Sequence, residues 1–292
     1  MRIDAHCHTD CSDGNVTIEE RIAMIRSSGL DAATITDHDF ISKEQVALAR
    51  RHCQEMPYIP GIELSLRHQN KVVHLLGYFI DPEDSGVQRH ISSVQEHDIA
   101  VTEKLTAHYR NRYRCDITLE DLKSDSLHTF YSMSFIRKAA SDLFGNDSKK
   151  SLAAFQDAEE TLGMSYADFS PWDVRSAIEL LHTAGGIAVL AHPGGRNDAL
   201  MQTLGFLLHD ETHIRAYVSW GLDGIETGTP VHTPEETLFY TGLCREYNLL
   251  STAGSDCHGN DPYLGPATMG VFTDIAGDSY ETMCEYHQKK RF

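Results

Sequence analysis

Short apolar runs alternate with stretches of helical periodicity through the first eighty residues. Residues 2–5, 32–36, 58–65 and 72–79 read as strands and residues 17–28 and 42–54 as helices, a βαβ rhythm. Thr17 and Glu20 have capping-box spacing, in which hydroxyl and carboxylate satisfy two unpaired N–H groups, and Gly29 follows where a left-handed residue ends a helix. The rhythm then changes. Over 88–113, Ile91, Val94, Val101, Leu105 and Tyr109 recur at near-heptad spacing on one helical face, and further helical pieces follow at 119–122, 134–144 and 151–162. After Pro171 the alternation resumes, with helices at 173–184, 197–208 and 234–247 and strands at 187–191, 224–227 and 249–254. The pattern predicts an α/β domain made of residues 1–83 and 171–292, interrupted by a helical insertion over 84–170.

Composition narrows the setting. With 292 residues, 41% of them hydrophobic, the chain can build a sizeable core. Its 43 Asp and Glu against 25 Lys and Arg give a formal charge of −18, which repels a phosphodiester backbone and predicts no long nucleic acid as partner. No apolar run approaches the roughly 18 residues of a membrane span. The opening Met1–Asp10 stretch lacks the apolar segment of a signal peptide, so no membrane partner is expected. Seven scattered Cys without a Cys-x-x-Cys pair predict neither a disulfide framework nor a thiolate zinc site, and a reducing cytoplasm is the expected location. Seventeen His is a high count, and imidazole is a common transition-metal ligand.

The histidines and carboxylates collect where the strands end, the place where functional groups gather in parallel α/β folds. His6 and His8 follow the first strand at i, i+2 spacing, so both imidazoles face one side of an extended backbone while Cys7 points away as a small buried thiol. Asp13 lies in the Ser-Asp-Gly turn beyond. Later strand ends carry Asp37-His38-Asp39, Gly61-Ile62-Glu63, His74, Ala191-His192-Pro193 and Gly254-Ser255-Asp256-Cys257-His258. Nitrogen and oxygen donors without thiolate suit Mn, Fe or Zn, and they exceed what one tetrahedral ion needs, so two or three divalent ions are expected. A bridging carboxylate such as Glu63 would hold two cations close enough to activate a shared water. This predicts hydrolytic attack by a metal-bridging hydroxide on an anionic substrate.

Taken together and in order, His6-x-His8 with Ser12-Asp13-Gly14, Thr36-Asp37-His38-Asp39, Gly61-Ile62-Glu63-x-Ser65, His74-Leu-Leu-Gly-Tyr78, Ala191-His-Pro-Gly-Gly195 and Gly254-Ser-Asp-x-His-Gly259 resemble the PHP (polymerase and histidinol phosphatase) family of metal-dependent phosphoesterases. The likeness covers residues 1–80 and about 185–270, and is greatest to stand-alone members with a helical insertion. It implies a distorted (β/α)7 barrel with a trinuclear centre. On it, His6, His8, Glu63 and Asp256 would hold one ion, Glu63, His74 and His192 a second, and Asp13, His38 and His258 a third. The implied substrate is a small phosphate ester, a nucleotide or ribose phosphate, as cyclic diester or monoester. Nucleoside 3′,5′-bisphosphates are one alternative, and amidohydrolase-like hydrolysis of a substrate without phosphate is another.

Asp256 and His232 are the candidates for direct participation in the reaction. Arg196 and His232 are the candidates for substrate contact, Arg196 as a bidentate phosphate clamp. Asp37 and Asp39 are expected to orient ligand imidazoles, and His90, His97 and His108 to be solvated or helix-face histidines on the insertion helix. Where relatives acting on nucleotide bisphosphates carry an Arg-Pro-His helix start, this chain reads Tyr131-Ser-Met-Ser-Phe-Ile-Arg137, so the insertion sets the substrate question.

Overall fold

Among the residues described by the structure, a computed structural model covering 1–195, 199–259, 268–270, 272 and 279–290, six strands join in chain order into one sheet. They are β1 (Ala33–Ile35), β2 (Tyr58–His68), β3 (Lys71–Tyr78), β4 (Ile187–Leu190), β5 (Gly224–Gly228) and β6 (Leu250–Ala253). The helices are α1 (Ile18–Ser27), α2 (Lys43–Cys53), α3 (Ser85–Tyr113), α4 (Tyr131–Phe144), α5 (Ser148–Leu162), α6 (Val174–Thr183), α7 (Ala199–Thr203), α8 (Glu211–Trp220), α9 (Pro234–Tyr247) and α10 (Tyr280–Lys290). Residues 197 and 198 of the expected helix at 197–208 lie outside the described residues; α7 ends at Thr203, with Gly205 at φ +79 beyond it, and α8 and α10 were not foreseen. None of the described helices is long and apolar enough to cross a membrane.

Two pairings depart from the parallel rhythm. β2 and β3 pair antiparallel, as do β3 and β4, while the other neighbours run parallel. A parallel crossover needs roughly a dozen residues, and only Gln69-Asn70 separates β2 from β3. Their φ angles of 51° and 59° form the tight turn that matches hairpin twist. The N-terminal segment, expected as a strand, makes isolated parallel bridges at Ile3–Ala32 and Cys7–Cys257. Its hydrogen bonds reach both ends of the strand order: Ala5 donates to the Ala253 carbonyl at 3.0 Å, and Thr36 donates to that of Cys7 at 2.9 Å. The fold is therefore mixed α/β, a curled sheet flanked by helices.

The two faces of the sheet divide the apolar residues by alternation. Leu64, Leu75, Leu190 and Ile225 belong to one buried cluster with Ile22 of α1, Val46 of α2, Ile178 of α6 and Tyr240 of α9, which is the helix-covered face. Ile59, Leu76, Tyr78, Ile187, Val189 and Leu250 pack on the other face, inside the curl, with Ile3 and Ala5. By the two-residue period, Glu63 shares the inner face with Ile59, His74 shares it with Leu76, and Glu226 lies opposite in parity to Ile225. Polar residues thus enter the curl from three strands. The insertion has a separate apolar cluster, containing Val101, Leu105 and Tyr109 of α3, Phe135 of α4 and Phe155 of α5.

Candidate active site

The nine expected ligands meet inside the curl. Glu63 Oε2 lies 3.0 Å from His6 Nε2, 3.1 Å from His8 Nε2 and 3.3 Å from His38 Nε2. Its Oε1 lies 3.0 Å from His74 Nδ1 and 3.2 Å from His192 Nε2. Asp256 Oδ1 stands 3.3 Å from His6 Nε2 and 3.1 Å from His8 Nε2. Asp13 Oδ2 is 3.2 Å from His258 Nε2 and 3.7 Å from His38 Nε2, and Asp13 Oδ1 is 3.5 Å from His8 Nδ1. Three overlapping donor groups result: His6, His8, Glu63 and Asp256; His38, Glu63 and His74; and His8, Asp13, His38 and His258. His192 joins through Glu63. The groups differ from the expected partition in that His8 and His38 are each shared between two of them.

This donor set fits divalent cations. Ligands about 2.0–2.2 Å from one ion stand roughly 3.0–3.5 Å from each other, the spacing found here. Six imidazoles and three carboxylates, all but Asp256 classed as buried, supply the nitrogen and oxygen donors of Mn, Fe or Zn, and no thiol joins the groups. Cys7 instead belongs to the helix-covered cluster, so His6 and His8 on either side of it face inward.

Mutual fields shift several of the groups. Burial pushes the Glu63 carboxyl up, but His38, His6 and His74 outweigh it and hold it well below the carboxylate range. Asp13 is likewise depressed by His258, His38 and His8 against its burial. Burial lowers His8, yet Asp13, Asp256 and Glu63 raise it to about 10. His74 behaves oppositely, because burial outweighs Glu63 and takes it down to about 4.

The backbone under the donors is unusual. Asp39, His192 and Asp256 have φ of 49°, 23° and 53°, a region costly for non-glycine residues and recurrent at functional sites. Asp37 reaches a ligand imidazole through a neighbour: it accepts from Thr9 N and Oγ1, Ser12 Oγ and Gln45 Nε2 at 2.6–2.7 Å, pinning the loop between His8 and Asp13, and Ser12 Oγ lies 3.5 Å from His8 Nδ1. Asp39 accepts from Ser65 N and pairs with His90 at 3.1 Å each, while Ser65 Oγ reaches His38 Nδ1 at 3.2 Å. His90 is accordingly buried, not solvated, because Trp172 packs against its ring at 4.7 Å. His97 and His108 are also engaged, with the Asp168 carbonyl and the Asp157 carboxylate.

His232 sits near the ligand loop with both ring nitrogens occupied. Nδ1 donates to the Thr227 carbonyl at 3.1 Å and Nε2 accepts from Gly194 N at 3.0 Å. That leaves no free ring nitrogen for a leaving group in this arrangement and makes His232 an anchor for the backbone two residues after His192. Arg196 lies outside the described residues. A cation unforeseen from the sequence reaches the rim instead: Arg137 of α4 donates to the backbone carbonyl of Asp13. Glu226 was also unforeseen, although the chain spells Gly-Ile-Glu twice, at 61–63 and 224–226.

Aromatic rings wall the cluster. Phe206 lies 4.9 Å from His74 and 5.8 Å from His192, Phe130 of the insertion lies 6.2 Å from His38, and Tyr166 lies 6.4 Å from Phe206. Between His74, Phe130 and Tyr166 remains a partly open cavity of about 20 Å³. An open cleft of about 720 Å³ lies across Ala167, lined in part by Lys71, Glu159, Glu160 and Asp168.

The PHP domain family model matches residues 4–166 of this chain. The chain belongs to the PHP domain family. That is the family its motifs resemble. A Haemophilus influenzae protein named 5′-3′ exoribonuclease is 26% identical, with 88% of this chain and 90% of that one covered. Phosphoribosyl 1,2-cyclic phosphate 1,2-diphosphodiesterase of Eggerthella lenta is 25% identical over 88% of this chain and 94% of its own length. A Bifidobacterium adolescentis structure described as a metal-dependent phosphoesterase superposes with a TM-score of 0.76 at 23% identity, covering 97% of this chain and 94% of that one, which is a likeness of fold. The relatives' names are those of phosphoric ester hydrolases, the enzyme class to which the chain is assigned.

Proposed function

We propose that this PHP protein is a metal-dependent phosphoesterase acting on a small phosphate ester, a nucleotide or ribose phosphate. The observation that carries the reading is the arrangement around Glu63, whose two oxygens each face imidazoles of different donor groups at 3.0–3.3 Å. His6, His8, Glu63 and Asp256 would hold one divalent ion, Glu63, His74 and His192 a second, and Asp13, His38 and His258 a third, with the N-terminal segment as seventh strand of the barrel. When bound, the two or three ions supply Lewis acidity and concentrated positive charge at the phosphoryl group. That charge also lets a protein of −18 accept an anion, since surface carboxylates are screened beyond roughly 8–10 Å.

The chain's own residues do the rest. Arg137 adds a guanidinium from the insertion beside Asp13, positioned to meet a phosphoryl oxygen. Residues 84–170 act as a cap, in which Phe130 beside His38 and Tyr166 facing Phe206 exclude water and hold the organic part of the ester. His232 keeps Gly194 in place, so the His192 loop is fixed before substrate arrives.

The exoribonuclease name of the first relative supports a second reading, in which the ester is the end of an RNA strand. Glu159, Glu160 and Asp168 along the open cleft oppose a long polyanion there, which favours the small ester. An assay with Mn²⁺ that reads both released inorganic phosphate and, by chromatography, ring-opened esters and freed nucleotides tests this across ribose cyclic phosphates, nucleoside 3′,5′-bisphosphates, 5′-mononucleotides, histidinol phosphate and a short 5′-phosphorylated RNA. Turnover of a small ester is expected. Turnover of the RNA alone would replace it with the second reading, and no turnover of any phosphate ester, with hydrolysis only of a lactone or amide in a parallel assay, would contradict both.

A further inference from the structure

We propose that Glu226 is a positioning residue of this centre, one carboxylate that fixes the His6 imidazole and the His192 backbone together; the inference rests on the metal-dependent reading above. Glu226 lies on β5, fully buried. Its Oε1 is 3.1 Å from His6 Nδ1, and its Oε2 accepts from the His192 N–H at 2.8 Å. It thus joins a residue of the His6, His8, Glu63 and Asp256 group to the histidine on the far oxygen of Glu63.

The chemistry of the acceptor dictates what this does. An ionised carboxylate only accepts, so when a cation takes the lone pair of His6 Nε2, which lies 3.0 and 3.3 Å from its partners Glu63 and Asp256, the one remaining ring proton sits on Nδ1 toward Glu226. Metal-binding imidazoles commonly have their other nitrogen held this way, which fixes tautomer and ring orientation. At His192 the same carboxylate holds a backbone whose φ is +23°, a conformation that needs outside support. Close packing admits the pair: a Cβ on Gly254 would lie 2.6 Å from Glu226 Oε1.

The variant Glu226→Gln separates this role from mere space filling, because it keeps the shape and loses one acceptor. With its oxygen toward His192 N–H, the amide NH₂ faces His6 Nδ1 and forces the proton onto Nε2. With the oxygen toward His6, the NH₂ meets the His192 N–H. Either way one ligand loses its support. Titration of the chelator-treated proteins with Mn²⁺ should show affinity weakened roughly 10–100-fold in E226Q, with kcat recovering as Mn²⁺ is raised and KM little changed. Equal affinity and stoichiometry in wild type and E226Q would overturn the inference and leave the metal-dependent reading intact, whereas absence of Mn²⁺ binding by the wild type would overturn both. A second measurement needs no variant at position 226. In the Zn²⁺-loaded wild type labelled with ¹⁵N-histidine, His6, assigned by loss of its signals in His6→Gln, should carry its proton on Nδ1; a proton on Nε2 would overturn the proposal even if E226Q failed to fold.

Discussion

Beneath the donor cluster, polar groups reach the ligands from the sheet and its loops: Glu226 at His6 and His192, Ser65 at His38, and Asp37 through Thr9 and Ser12. Over it, the insertion packs on its own apolar core and touches the site through few side chains, among the described residues Phe130, Tyr166, Arg137, His128 and, at Asp39, His90. The lower region is a network in which each group has a set geometry, so it suits bond-breaking chemistry that tolerates little displacement. The upper region meets the site by shape and one cation, and can change its lining residues without disturbing the donors. On the proposed function, reactivity and selectivity would fall to different parts of one chain.

Removing the cations should separate the regions most sharply. Treatment with chelator is expected to lower phosphate release by roughly 10³-fold or more, with recovery on adding Mn²⁺. His192→Ala should cost less, about 10²–10³-fold in kcat/KM measured with saturating Mn²⁺, and retention of full metal-dependent activity would remove it from the ligand set. Arg137→Ala, acting from the insertion, should raise KM about tenfold while metal content measured by elemental analysis stays that of the wild type. Phe135→Ala, in the core of the insertion, should destabilise by about 3–5 kcal/mol in denaturant unfolding yet leave Mn²⁺ affinity unchanged. Loss of metal binding in either insertion variant would break the division.

A pH series on chelated protein sharpens the same contrast with the smallest effect. His8 is raised from its ordinary value near 6.5 to about 10, so its contribution to stability is complete below pH 6.5 and is lost as pH rises through 10. The depressed Glu63 and Asp13 contribute above the ordinary carboxylate range and lose this only as pH falls below it. Thermal midpoints of chelated protein should therefore decline between pH 6.5 and 10, and Mn²⁺ should suppress that decline by taking the place of the protons.

Much of the lower region was legible because its residues announce themselves by spacing: His6 and His8 flank one residue, and His192 and Asp256 follow apolar strand runs directly. Glu226 escaped because a single Glu in a short strand has no spacing partner; its twin triplet at 61–63 was the available signal. The antiparallel β2–β3 pair was readable as well, since the gap is too short for a crossover. Burial of His90 was not, because it depends on Trp172 and Asp39 arriving from distant segments. Helix α8 escaped for a local reason, its capping box using His213 where Glu or Gln is the usual signature.

The central claim is that one buried cluster sharing Glu63 holds more than one cation. Elemental analysis of active, Mn²⁺-equilibrated protein freed of loosely bound metal addresses it directly: the account expects two or three equivalents per chain, and one equivalent or fewer in a preparation that still hydrolyses phosphate esters would contradict it.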